Sequence, residues 1–237
     1  MRYLLATTVL WPLLLYQGIQ VRRNIVRLPE ARGRRCGELG LGRPLRILVL
    51  GDSAAAGVGV DQQQRALSGQ LMARLQDQYQ LQWRLIARSG LTTAKMLRYM
   101  SKRRAEPFDV VVTSLGVNDV TRGVSRRRWL RQQQTLVQLL RDKYQCKQVI
   151  VSAMPPLGQF PALPQPLRWT LGQHALSLDG SLKQWLAQQP DCDRIEFSQA
   201  LRGEVMAADG FHPGAPVYQH WAETVAACIR SRWLIQE

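Results

Sequence analysis

LRILVLGDSAAAGVGV, residues 45–60, decides the fold class. It opens on Leu45–Leu50, an apolar run with almost no alternation, which is how a strand buried on both faces reads. It then breaks at Gly51-Asp52-Ser53 into a turn of small residues. The same succession of apolar run, turn and helical period recurs along the chain. Further runs lie at Trp83–Ala87, Val110–Leu115, Gln148–Ala153 and Arg194–Phe197, the last short and half polar as an edge strand reads. Between them Leu67, Leu71 and Leu75 recur at i, i+4 and i+8, and Leu130, Val137, Leu140 and Tyr144 share a helical face. A third helix is predicted from about Leu167 to Gln189. A last one starts near Pro216, with Val217, Trp221, Val225 and Cys228 on one side. Strand and helix alternate throughout, so the class is α/β with a parallel sheet. A flavodoxin-like order of 2-1-3-4-5 sets the first three strands side by side.

Each of those three strands ends in unusual chemistry. The first ends in Gly51-Asp52-Ser53, the second in Arg88-Ser89-Gly90 and the third in Gly116-Val117-Asn118-Asp119. In open parallel sheets, ligands bind outside the carboxyl ends of the strands. Ser53 is then a candidate nucleophile on a rim that also carries Gly90 and Asn118, both able to donate hydrogen bonds. A serine nucleophile needs a base, and the chain has three histidines. His174 and His220 lie within helical periods. His212 lies in a loop, Asp209-Gly210-Phe211-His212-Pro213-Gly214, with Asp209 close enough in sequence to fold back onto the imidazole. That carboxylate would fix the ring's tautomer and stabilise its protonated form.

Four separated blocks, Ser53 in GDS, Gly90 in SGLTT, Asn118 in GVND and His212 in DGFHP, resemble the SGNH (GDSL) hydrolases. The likeness runs from about residue 45 to 235, with the blocks in family order. It implies a three-layer α/β/α sandwich around a five-stranded parallel sheet. It implies Ser53 as nucleophile, His212 as base and Asp209 as the orienting acid. It also implies an oxyanion hole of the Ser53 and Gly90 N–H groups and the Asn118 side-chain amide. The nearest branch in character is that of bacterial arylesterases, lysophospholipases and thioesterase-like members. Ala54 replaces the usual leucine after GDS, and the asparagine often found upstream of the second block's glycine is absent. Neither change removes a catalytic group. The activity implied is hydrolysis of fatty-acyl or aryl esters or thioesters through an acyl-enzyme. The same fold also hosts O-acyltransferases and carbohydrate deacetylases, and a non-catalytic membrane-tethered binding module is a third class of reading.

A Pro-rich apolar segment, residues 154–172, follows the fourth strand on the active-site side. Its Leu157, Phe160, Leu163 and Trp169 are candidates to wall an acyl pocket. No cofactor or metal is implied: there is no Cys-x-x-Cys, no histidine pair at helical spacing and no phosphate-binding glycine motif.

The chain has 237 residues and a formal net charge of +15, with 46% hydrophobic and 21% charged residues. That composition is globular and excludes a disordered chain or a disulfide-dense scaffold. No aromatic-interleaved basic stripe points to nucleic acid. Residues 3–21 carry no charge, and Arg22, Arg23, Arg27, Arg32, Arg34 and Arg35 follow. Residues 1–27 therefore read as a membrane anchor or an interfacial helix, with a helix packed on the protein's own surface as the other option. The apolar stretch Leu4–Tyr16 is short of the about 20 residues a spanning helix needs. The arginine flank favours an inner-membrane-associated protein whose catalytic domain faces the cytoplasm. Glycine and proline punctuate residues 28–44, read as a linker, and the domain proper is expected over 45–237. Nothing in the sequence sets an oligomeric state.

Overall fold

A computed structural model of the chain describes residues 2–196 and 205–233, with side chains from residue 8 onward. Phe197, expected in the last strand, lies outside the described residues. The elements in order are α1 (Arg2–Asn24), β1 (Cys36–Leu39), β2 (Arg43–Gly51), α2 (Leu67–Leu75), β3 (Tyr79–Ala87), α3 (Thr93–Lys102) and β4 (Val110–Ser114). Then follow α4 (Val117–Thr121), α5 (Arg126–Tyr144), β5 (Gln148–Ser152), α6 (Leu167–Leu186), β6 (Cys192–Ile195) and α7 (Ala215–Trp233).

Among the described residues the sheet has six strands in the order β1-β3-β2-β4-β5-β6. β3, β2, β4, β5 and β6 run parallel, and β1 pairs antiparallel with β3, Cys36 opposite Arg84. The expected five-stranded parallel sheet is thus corrected to a mixed sheet of six strands. The added strand comes from residues 28–44, expected as a linker. β1 alternates exposed and half-buried residues, as a strand on the sheet edge does. Arg35 beside it donates to the Ala87 carbonyl at 2.8 Å and pairs with Glu30 at 2.7 Å. Glu30 in turn accepts the Ser89 N–H at 2.7 Å. Arg43 and Pro44 already belong to β2. The globular fold therefore begins well before residue 45.

Side chains of β2 alternate between two cores. Leu45, Ile47 and Val49 join α2 and α7 on one face, whereas Leu48 and Leu50 join α3, α5 and α6 on the other. Each such fully buried leucine or isoleucine stabilises the fold by about 1.5–3 kcal/mol. Helices on both faces leave only the strand ends open, and the carboxyl ends of β3, β2 and β4 share one rim.

α1 also lies against this body. Leu14 and Val21 pack on the core of the α6 side. The Gln17 side chain donates to the Gln165 carbonyl at 2.7 Å and accepts the Leu167 N–H at 3.1 Å. Val9, Trp11, Leu13 and Tyr16 stay exposed. Among the described residues, no helix is long and apolar enough to cross a membrane.

Candidate active site

Ser53 stands in the loop that leaves β2. Backbone bonds from Ala56 N–H to the Asp52 carbonyl and from Val58 N–H to the Ser53 carbonyl, both 3.0 Å, wind that loop tightly. Tyr218, buried in α7, places its Oη 2.8 Å from the Ala54 carbonyl and 2.7 Å from that of Val58. Gly59 has φ +107°, and a Cβ there would lie 2.1 Å from the Pro213 carbonyl oxygen. Only glycine lets the serine loop approach the histidine loop this closely.

The histidine loop is a short hairpin. Ala207 N–H reaches the His212 carbonyl, Gly214 N–H reaches the Val205 carbonyl, and Met206 bridges Pro213. Inside it, Asp209 Oδ1 accepts the N–H groups of Phe211 at 3.0 Å and His212 at 2.9 Å. Oδ2 takes the imidazole Nδ1–H at 2.5 Å. Burial acts to raise the Asp209 carboxyl, but the His212 ring and these two N–H groups outweigh it and hold it below the ordinary value. An ionised carboxylate only accepts, so the ring hydrogen sits on Nδ1 and Nε2 is left as acceptor. Nε2 lies 2.9 Å from Ser53 Oγ. The structure thus brings Ser53, His212 and Asp209 into one hydrogen-bonded line.

Asn118 is placed differently. It sits at the start of α4, and its Nδ2 donates both to Asp52 Oδ2 and to the Leu91 carbonyl, each at 3.1 Å. Both amide hydrogens are therefore engaged in the resting protein. Gly90, at φ +77°, has nothing within 4 Å of where a Cβ would stand. It does not line the cavity at Ser53 and is linked to the serine loop through the Leu91–Asn118–Asp52 chain. Among the described residues, neither the Ser53 nor the Gly90 N–H meets a protein acceptor.

Four residues not singled out in the sequence support the site: Asp52, Asp119, Tyr218 and Gly59. Asp119 is fully buried; its Oδ2 accepts the Thr93 N–H and hydroxyl, each at 3.0 Å, tying α3 to the Asn118 loop. The available signal was positional, since both acids adjoin a named site residue at a strand end.

Asp52 yields a pH prediction. Burial raises its carboxyl; the Ala54 N–H, His212 and the Asn118 amide oppose this, and it settles at about 6 against an ordinary 3.8. The folded chain therefore binds this proton more tightly than the unfolded chain. The group's contribution favours folding most below the unfolded value and is lost as pH rises through about 6. A gap of about two pH units is worth ~3 kcal/mol. Asp52→Asn cannot ionise, so the wild-type melting temperature should rise relative to the variant's as pH falls from about 7 to about 5. A difference that stays constant over that range would remove Asp52 as the titrating group.

The cavity at Ser53 is small, about 50 Å³, with His212, Met154, Phe160, Val217 and Trp221 among its walls. Of the four candidate acyl-pocket residues, Phe160 alone faces it. Leu163 lines a neighbouring groove. Leu157 is sealed in the core, and Trp169 is 40% exposed and lines neither space. The reason is local: residues 157–159 form a short 3-10 turn that rolls Leu157 inward, and α6 starts at Leu167 with Trp169 turned outward. Among the described residues, no group of three or more His, Cys, Asp or Glu side chains is placed to hold a metal.

Solved structures share this architecture. A lipolytic protein of the G-D-S-L family from Veillonella parvula is 17% identical, covering 79% of this chain and 98% of that one, with a TM-score of 0.63. An aryl esterase from M. smegmatis is 17% identical over 79% and 99% of the two chains, with a TM-score of 0.61. A carbohydrate acetylesterase from Sinorhizobium meliloti is 19% identical over 80% and 100%, with a TM-score of 0.60. At such identities the likeness is one of fold. No curated protein sequence matches the chain significantly. The family model of GDSL-like lipases and acylhydrolases matches residues 49–220, a span that includes every loop that builds the site. With that match over most of its length, the chain belongs to the GDSL-like lipase/acylhydrolase family and is a carboxylic ester hydrolase.

Proposed function

We propose that the chain hydrolyses acyl esters or thioesters through an acyl-enzyme on Ser53. The observation that carries this reading is the unbroken line from Ser53 Oγ through the His212 imidazole to the buried Asp209 carboxylate, at 2.9 and 2.5 Å. Ser53 Oγ attacks the acyl carbonyl while Nε2 takes the hydroxyl proton, and Asp209 stabilises the imidazolium that forms. The Ser53 N–H, together with the Gly90 N–H and the Asn118 amide on the strand-end rim outside the small cavity at Ser53, holds the tetrahedral oxyanion. For Asn118 to contribute, one of its hydrogens turns from Asp52 or Leu91 towards the oxyanion. Collapse of the intermediate expels the alcohol or thiol, which receives the proton from His212. Water, losing a proton to the same nitrogen, then attacks the acyl-enzyme; collapse releases the carboxylic acid and expels Ser53 Oγ, which regains its proton from His212. The test is release of p-nitrophenol by the purified full chain from esters of increasing acyl length. Absence of turnover at every length would overturn the reading.

A second reading, removal of acetyl groups from carbohydrates, is favoured by one observation: the small volume beside Ser53. An acyl-length profile that peaks at acetate selects it.

The exposed Val9, Trp11, Leu13 and Tyr16, followed by Arg22, Arg23 and Arg27, support a further part of the reading. α1 rests on a bilayer face without crossing it, its apolar rings at the head-group boundary and its arginines against anionic lipid. The anionic cytoplasmic leaflet is the surface that suits this charge. The full chain should sediment with anionic vesicles and release in high salt. Failure to bind such vesicles at low salt would contradict it.

A further inference from the structure

We propose that the groove beneath α1 is a binding site for a long fatty-acyl chain, which runs from Ser53 past Phe211. The inference rests on the ester-hydrolase reading above and names its substrate class. The groove has a volume of about 330 Å³. α1 supplies one wall through Leu14, Gly18 and Val21, and Leu163 and Leu167 supply the other. Phe211 lines both this groove and the cavity at Ser53. Its ring stands edge-on to Phe160, with centroids 5.2 Å apart at 86°, and lies 5.3 Å from the His212 ring. One aromatic side chain thus borders both the cavity at the reacting atoms and the larger apolar groove, and places the two spaces side by side.

The lining fits an aliphatic chain. Arg22, exposed at the edge, and Thr121 are the polar side chains that line the groove. A sugar or peptide placed there would leave its own polar groups without partners, whereas methylenes gain by leaving water. The wall is fixed, because the Gln17 side chain ties α1 to Gln165 and to the first residue of α6 at 2.7 and 3.1 Å. Gly18 adds an independent observation. It lies inside α1, where alanine would favour the helix, and a Cβ there would meet nothing within 4 Å. No packing contact demands the glycine; the space it leaves open is the groove. The small cavity at Ser53 then holds the first carbons of the chain, and the groove holds the rest.

Gly18→Phe projects a ring into the groove from a position where a Cβ meets nothing within 4 Å. The ratio of kcat/KM for the dodecanoyl ester to that for the acetyl ester should fall about tenfold or more relative to wild type. Laurate binding to the full chain carrying Ser53→Ala, followed by displacement of a fluorescent fatty acid, should weaken to the same extent when Gly18→Phe is added. An unchanged ratio with unchanged laurate binding overturns the groove. Absence of laurate binding to the Ser53→Ala chain also overturns it. Absence of turnover on every ester, with laurate binding that Gly18→Phe weakens, overturns the hydrolase reading and leaves the groove standing.

Discussion

Ser53→Ala should lower ester turnover by about 10⁶-fold in kcat, to the level of the oxyanion hole and binding alone. The side chain lost carries the atom that forms the covalent bond, and among the described residues no other hydroxyl lies within hydrogen-bond distance of His212 Nε2. The fold should be untouched. The loop around Ser53 is held by backbone bonds and by Tyr218, not by the serine hydroxyl. An unchanged circular-dichroism melting curve beside vanished turnover is the expected pair of results. Substantial residual turnover would mean that His212 activates water directly, with no acyl-enzyme.

Asn118→Ala has the second largest effect and a different signature. It leaves Ser53, His212 and Asp209 in line and deletes one oxyanion donor, so kcat should fall by about 10²–10³ with little change in KM. It also strips Asp52 of one of the two donors it has among the described residues, leaving a buried carboxyl with the Ala54 N–H. The melting temperature should therefore drop as well, an effect that Ser53→Ala does not share. A raised KM at unchanged kcat would show that Asn118 binds ground-state substrate. Its assignment to the oxyanion would then fall.

The parallel part of the fold was legible because strands buried on both faces advertise themselves. Leu45–Leu50, Val110–Leu115 and Gln148–Ala153 have few polar residues to confuse the pattern. β1 was not legible. Cys36-Gly37-Glu38-Leu39 has weak strand propensity, and its place comes from backbone pairing with β3, which no side-chain period encodes. The site divided along similar lines. Ser53, Gly90, Asn118 and His212 stand in loops rich in Gly, Asp and Pro at strand ends, where local chemistry shows. Asp52, Asp119 and Tyr218 act through burial, which the third dimension creates: Asp119 reaches Thr93 and Tyr218 reaches Val58 across the fold. The acyl-wall candidates failed in part for the same reason. Apolar residues in a Pro-rich loop serve core or pocket equally well on paper, and only the turn at residues 157–159 sends Leu157 to the core. The contribution of α1 to a groove beside Phe211 was likewise hidden, since the uncharged run of residues 3–21 suits a membrane anchor, an interfacial helix and a helix packed on the protein's own surface alike.

The central claim is that Ser53 carries the acyl group. Its most direct test is to treat the native full chain with an alkyl fluorophosphonate and map the adduct by peptide mass spectrometry. A single adduct on Ser53, within the tryptic peptide 47–65, with loss of turnover in proportion to labelling and no adduct on the Ser53→Ala chain, is the expected result. Labelling at another residue, or full turnover in a chain that takes no label at Ser53, would contradict the account.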